Sequence, residues 1–141
     1  MEIPKKYGHQ KRVVIVGAGF AGLTLAKRLS AKYFQVILLD KNNYHQFQPL
    51  LYQVATSGLE PSSISFPLRK IFQKKKNVII RLTSVTGVSP ERKKVHTEIG
   101  DIEFDYLILA QGATTNYYNN DSLHNNAYSM KSVSEALLLR N

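Results

Sequence analysis

Val13–Ala26, VVIVGAGFAGLTLA, decides how this chain folds. Four apolar residues, three of them valine, lead into Gly17-x-Gly19-x-x-Gly22-x-x-x-Ala26. A lone glycine triplet of this kind is a weak signal. Here it closes a β-branched run that is apolar on both faces, the mark of a buried parallel strand. It also opens a helical pattern over Phe20–Ala31, with Phe20, Leu23, Leu25, Ala26 and Leu29 available for one broad face. Gly17 allows the tight strand-to-helix turn, and Gly19 lets the backbone approach a pyrophosphate. Gly22 and Ala26 keep the helix close to the strands. Free N–H groups at the helix start, together with its dipole, attract phosphate.

Asp40 ends the next apolar run, Gln35–Leu39, 18 residues beyond Gly22. That is near the ~20 expected of an acid that binds the adenosine ribose. A carboxylate there accepts from ribose hydroxyls and repels a 2′-phosphate. The strand, helix and second strand make one βαβ unit, so the sheet is parallel. Lys41 is read as a phosphate or adenine contact or as an exposed residue.

Ser62–Phe72 reads as a helix with a break or restart at Pro67. Asn77–Leu82 is a third strand. Val85–Ser89, Lys94–Glu98 and Ile102–Phe104 are short and alternating, and form an antiparallel meander. Tyr106–Ala110 is another buried strand and runs into a second glycine turn at Gly112. Asn116–Asn126 is read as a loop. Ser132-Val-Ser-Glu135 matches a capping box before a last helix that stops at Asn141 without a glycine cap. That suggests a fragment of a longer protein.

The 141 residues suit one domain. No apolar run reaches the ~18 residues of a membrane span. With no cysteine, these residues hold no disulfide, thiolate metal site or redox pair. The four histidines are scattered without metal-like spacing, so no metal is expected. The net charge is +9, densest over Arg69–Lys76. That run reads as a solvated helix end, because Lys in a last turn favours the helix dipole, rather than as a surface for anionic lipid or nucleic acid; no nucleic-acid motif accompanies it.

The fingerprint serves NAD or FAD equally. The meander between the third strand and "YLILAQGATT" is the arrangement of the two-dinucleotide flavoproteins. A further stretch, Asn43–Gly58, NYHQFQPLLYQVATSG, has neither strand nor helix period. Its His-x-Phe-x-Pro-Leu-Leu-Tyr-x-Val-Ala pattern is more specific. With VVIVGAGFAGLTLAKRL and FDYLILAQGA, it makes the chain resemble the N-terminal part of a type II NADH dehydrogenase, the single-subunit NADH:quinone oxidoreductase.

That resemblance implies an α/β, FAD/NAD(P)-binding, Rossmann-like three-layer domain, with a parallel sheet and a small antiparallel three-strand meander. It divides the chain into a leader (1–10), the first segment of the FAD domain (11–116), and a loop with a truncated helix (117–141) leading toward an NADH domain. It implies non-covalent FAD, reduced by NADH and oxidised by a quinone, without proton pumping. The enzyme would be peripheral on the cytoplasmic side of the inner membrane, docked by a C-terminal part beyond these residues; a homodimer is compatible with this, and no nucleic acid is implied. By matching position, Gly17, Ala18, Gly19, Phe20, Ala21 and Gly22 would hold the pyrophosphate. Asp40 and Lys41 would sit at the ribose, Val85 at the adenine, and Ala110 and Gly112 on the diphosphate side. Gln111 departs from the threonine usual in the family.

The flavin carries the redox chemistry, so no catalytic side chain is named. His45 reads as structural rather than as a proton relay. Pro49 is expected to break the chain locally, so that Leu50 and Leu51, with Phe47, turn inward beside the flavin. The 141 residues alone are expected to hold FAD weakly or not at all. A sulfide:quinone reductase-like flavoprotein and a non-enzymatic nucleotide-binding module are the alternatives.

Overall fold

In the computed structural model, which describes residues 8–141, the leading strand β1 (Lys11–Val16) packs both its faces. Of the leader read over residues 1–10, residues 1–7 lie outside the described residues. In chain order there follow α1 (Phe20–Arg28), β2 (Phe34–Asp40), β3 (Tyr44–Gln46), a 3-10 turn at Gln48–Leu50, α2 (Leu51–Ala55) and α3 (Pro61–Ile64). Then come β4 (Ser65–Pro67), α4 (Leu68–Ile71), β5 (Val78–Leu82), β6 (Val85–Ser89), β7 (Lys94–Thr97) and β8 (Gly100–Glu103). The chain ends with β9 (Tyr106–Leu109), α5 (Asp121–Asn126) and α6 (Val133–Arg140). It forms two units: residues up to His45 with Pro67–Gly112, and Gln46–Phe66 with Ala113–Asn141.

The first unit has three layers. Its middle layer is a parallel sheet of order β5-β2-β1-β9. Side chains alternate between the faces of a strand, and here both faces are covered. Val13, Ile15, Val36 and Leu38 pack with Leu23 and Ala26 of α1 and with Leu68 and Phe72 at α4. Val14, Ile37 and Leu39 pack the other way, onto Val95 and Ile102. Those two belong to the antiparallel meander β6-β7-β8. The expected α/β fold, with parallel sheet and meander, is therefore present. Each such buried aliphatic side chain contributes about 1.5–3 kcal/mol. The one buried polar side chain of β2, Gln35, accepts from Arg12 Nε at 2.8 Å.

Tyr106–Ala110 is not the buried strand expected. β9 is an edge strand here, and Tyr106 and Leu109 are 54% and 60% exposed. Phe20 is likewise 46% exposed and does not join the apolar face of α1. The helix expected over Ser62–Phe72 is instead two single turns, α3 and α4, separated by β4. Proline at 61 starts the first turn, and Pro67 precedes the second.

The second unit gathers Leu51, Val54, Ile64, Val133 and Ala136 into its own core. Gln46 ties it to α6: its Nε2 donates to Lys131 O at 2.8 Å, and its Oε1 accepts from Val133 N at 3.1 Å. The Asn43–Gly58 stretch shows no period because it holds a three-residue strand, a 3-10 turn and a five-residue helix in succession. Pro49 opens a helical turn rather than breaking one. Of the three residues expected to turn inward, Leu51 is core, Leu50 half-buried, and Phe47 39% exposed. The loop expected at Asn116–Asn126 contains α5, capped by Asn120 Oδ1, which accepts from Leu123 N at 3.1 Å. No residue of α5 is buried, so hydrophobic period gave no signal.

The capping box at α6 is present: Ser132 Oγ accepts from Glu135 N at 3.2 Å. Glu135 in turn accepts from the Ser129 hydroxyl and from Lys131 N–H. The Ser129 hydrogen bond, with further ones from Lys131 and Ser132, holds the Glu135 carboxyl below its usual 4.5. A depressed carboxylate stabilises the fold above its unfolded pKa. That contribution fades as the pH falls through the lower folded value. Glu135→Gln should therefore flatten the acid limb of an unfolding curve below pH 4.5. Ser132→Ala should cost about 0.5–2 kcal/mol at neutral pH, as N-cap losses do, and keep most of the acid limb, because the Ser129 and Lys131 hydrogen bonds to Glu135 remain. Urea unfolding between pH 3 and 7 separates the two, and equal pH profiles for both variants would contradict this assignment.

Candidate functional site

The phosphate turn sits where the strand order of the sheet reverses. β2 lies on one side of β1 and β9 on the other, so the carboxyl ends of β1 and β9 flank a topological switch point. Gly17 N donates to Leu39 O at 2.7 Å, and Ala110 N donates to Val16 O at 2.8 Å. These bonds bring the ends of three strands to one place. Gly17 has φ +100, a region that disfavours side chains. A Cβ on Gly17 would stand 2.4 Å from Ala110 O, and one on Gly22 would stand 1.9 Å from Gly17 O. Both contacts are too close for any side chain, so backbone packs directly on backbone.

Gly19 differs from both. A Cβ there would meet nothing within 4 Å. Gly19 is the N-cap of α1. No side chain caps that end, and no acidic residue lies in its first turn. Lys27 and Arg28 occupy the last turn, so the helix charge pattern favours an anion at its start. Open space above a glycine, at a helix start without a capping side chain, fits a diphosphate.

Asp40 stands across the turn. Its Oδ2 accepts from Ala18 N at 2.6 Å and its Oδ1 from Asn42 N at 2.8 Å. A carboxylate offers about four lone-pair positions, so acceptor capacity remains for ribose hydroxyls. Thr83 N donates to Asp40 O at 2.9 Å, which brings the start of the meander, Val85, to the same end of the sheet. Lys41 is exposed beside Asp40. Gly112 follows β9 at φ +74 with open space at its Cβ position. Gly17–Gly22, Asp40, Val85, Ala110 and Gly112 thus share the carboxyl end of one sheet.

His45 carries more of the site than its sequence suggested. It is 7% exposed, and its Nδ1 lies 3.0 Å from Ala18 O. The Phe20 ring meets it edge-on at 5.2 Å. The only advance signal was its place in an aperiodic segment five residues after Asp40.

A second polar chain lies on the meander. Ser89 Oγ is 2.8 Å from His96 Nε2, and His96 Nδ1 is 2.7 Å from Asp101 Oδ1. The His96 bond holds the Asp101 carboxyl below its usual value. The order matches a hydrolytic triad. However, the His96 and Asp101 side chains are 39% and 48% exposed, and the three residues sit on three paired strands. They read as a fastening of the meander. Among the described residues, no cluster of three or more His, Cys, Asp or Glu could hold a metal ion, and no helix is long and apolar enough to cross a membrane.

A parallel sheet with a glycine turn at its switch point and an acid closing the second strand defines a dinucleotide-binding α/β domain. More narrowly, the chain belongs to the pyridine nucleotide-disulphide oxidoreductase family, whose model matches residues 11–141. It is 38% identical, over 97% of its length, to the type II NADH:quinone oxidoreductase NdhA of Mycobacterium tuberculosis. It covers 30% of that protein. Among solved structures it matches NDH2 of Plasmodium falciparum in complex with NADH, with TM-score 0.86 and 27% identity over 93% of this chain and 28% of that one. It also matches the sulfide:quinone oxidoreductase of Aquifex aeolicus, with TM-score 0.81 and 25% identity over 92% of this chain and 30% of that one. The resemblance to type II NADH dehydrogenases read in the sequence is borne out.

Proposed function

We propose that this chain forms the first segment of the FAD domain of a type II NADH:quinone oxidoreductase. The observation that carries the reading is the phosphate turn: Gly17 and Gly22 packed backbone to backbone, Gly19 open, and Asp40 bonded to Ala18 N. When bound, FAD would take electrons from NADH and pass them to a quinone. The residues of this chain bind and orient it. The α1 start and Gly17–Gly22 take the diphosphate, and Asp40 and Lys41 take the ribose. The Val85 backbone faces the adenine, and Ala110 and Gly112 close the diphosphate side. No side chain here needs to move a proton, because the flavin carries the redox chemistry. On this reading the enzyme does not pump protons. It docks peripherally on the cytoplasmic side of the membrane through parts beyond this segment, and a homodimer suits it.

The test is made on the full protein. It should purify with about one flavin per chain, the stoichiometry of one phosphate turn. NADH should reduce a soluble quinone analogue through it. A flavin-free protein would sink the reading. Sulfide-dependent quinone reduction would instead favour the sulfide:quinone oxidoreductase likeness. NADH binding without turnover would favour a nucleotide-binding module.

A further inference from the structure

We propose that His45 is a positioning residue for the phosphate turn, fixing the peptide plane that aims the Gly19 N–H at the diphosphate. A carbonyl oxygen only accepts, so the 3.0 Å contact with Ala18 O requires the hydrogen on Nδ1 of His45. The Ala18–Gly19 peptide is planar and trans, like every peptide described here. Its C=O and N–H therefore point in opposite directions. Holding Ala18 O toward His45 turns the Gly19 N–H away from it, on the exposed side of the turn.

The preceding peptide plane is held in the same manner, by Asp40 Oδ2 on Ala18 N at 2.6 Å. Two consecutive planes of the turn are thus set by side chains from β2 and β3. The turn cannot set them itself, because glycine populates more backbone conformations than any other residue. The ring of Phe20, the first residue of α1, packs edge-on against His45 and limits the imidazole's own freedom.

This inference rests on the nucleotide reading of the turn. The experiment uses the full protein stripped of flavin, titrated with FAD, ADP and adenosine. His45→Leu keeps an apolar side chain but no donor. It should weaken FAD and ADP by about tenfold, the size of one net hydrogen bond, and leave adenosine unchanged, since adenosine has no phosphate to misplace. His45→Asn puts an amide N–H near the Nδ1 position and should restore most of the loss. His45→Gln puts it nearer the Nε2 position and should not. If His45→Leu does not fold, the contrast between His45→Asn and His45→Gln decides instead. Equal weakening of ADP and adenosine, or equal ADP binding by the Asn and Gln variants, would overturn the assignment. A wild-type protein that binds neither FAD nor ADP would sink the nucleotide reading itself, and this inference with it.

Discussion

Replacing Gly22 by alanine is expected to abolish the fold of the first unit, whereas the same change at Gly19 leaves the fold intact and removes only ligand affinity. The new Cβ at position 22 would stand 1.9 Å from Gly17 O and 3.1 Å from Ile15 Cγ2. The first neighbour is backbone and cannot rotate away. Relief requires α1 to lift off β1, and that lift strips Leu23 and Ala26 from the core they share with Val13 and Ile15. Ordinary overpacking costs about 1–3 kcal/mol, and this clash exceeds it. Total stabilities are only about 5–15 kcal/mol, so cooperative unfolding should be lost or sharply lowered in temperature. At Gly19 the added methyl meets nothing, and φ is −68, which any residue adopts. Its stability should stay within about 0.5 kcal/mol of wild type. Its Cβ nonetheless fills the space through which a diphosphate approaches, so ADP and FAD affinity should fall at least about tenfold, a loss of about 1.4 kcal/mol. Thermal unfolding and ADP titration of the two variants give the contrast. A Gly22→Ala protein that melts like wild type, or a Gly19→Ala protein that binds ADP normally, contradicts it.

That contrast also marks what the sequence made legible. Gly17, Gly22 and Ala26 constrain one another through the backbone, and the spacing of a glycine fingerprint encodes those contacts. The runs Arg12–Val16 and Gln35–Leu39 were readable because a sheet covered on both faces demands unbroken apolar character. The meander was readable because its short strands alternate. These features are local, or they repeat with a period.

The features that escaped depend on packing partners distant in sequence. Whether Tyr106 and Leu109 are covered depends on what lies beyond β9, which its own apolar run does not state. Leu51 and Phe47 are both apolar, yet one is core and the other exposed, because α2 packs on α6 some 80 residues later. α5 is a polar turn held by its Asn120 cap, a bond that leaves no hydrophobic trace. His45 is the sharpest case. An imidazole five residues past Asp40 has no predictable target until β3 brings it to Ala18 O.

Asp40→Asn should cost both stability and ribose recognition, and the two losses can be told apart. Both carboxylate oxygens accept backbone N–H groups, from Ala18 at 2.6 Å and Asn42 at 2.8 Å. An asparagine has one oxygen, so its NH2 must face one of those donors. The displaced N–H is then unpaired, and if it belongs to Ala18, at 2% exposure, water cannot readily replace the bond. An unsatisfied buried donor costs about 1–3 kcal/mol. The ribose loss is separate. Hydrogen bonds to a charged acceptor contribute about 1.5–3 kcal/mol, so adenosine affinity should fall about tenfold to a hundredfold. 2′-Deoxyadenosine lacks one of the hydroxyls that the carboxylate accepts from, so wild type should prefer adenosine to it and the variant should not. Adenosine 2′,5′-bisphosphate, repelled by the wild-type carboxylate, should gain relative to adenosine 5′-monophosphate once the charge is gone. If Asp40→Asn leaves adenosine and 2′-deoxyadenosine unchanged and weakens only the two ligands that carry a 5′-phosphate, Asp40 acts only by holding the Ala18 N–H, and the ribose is recognised elsewhere.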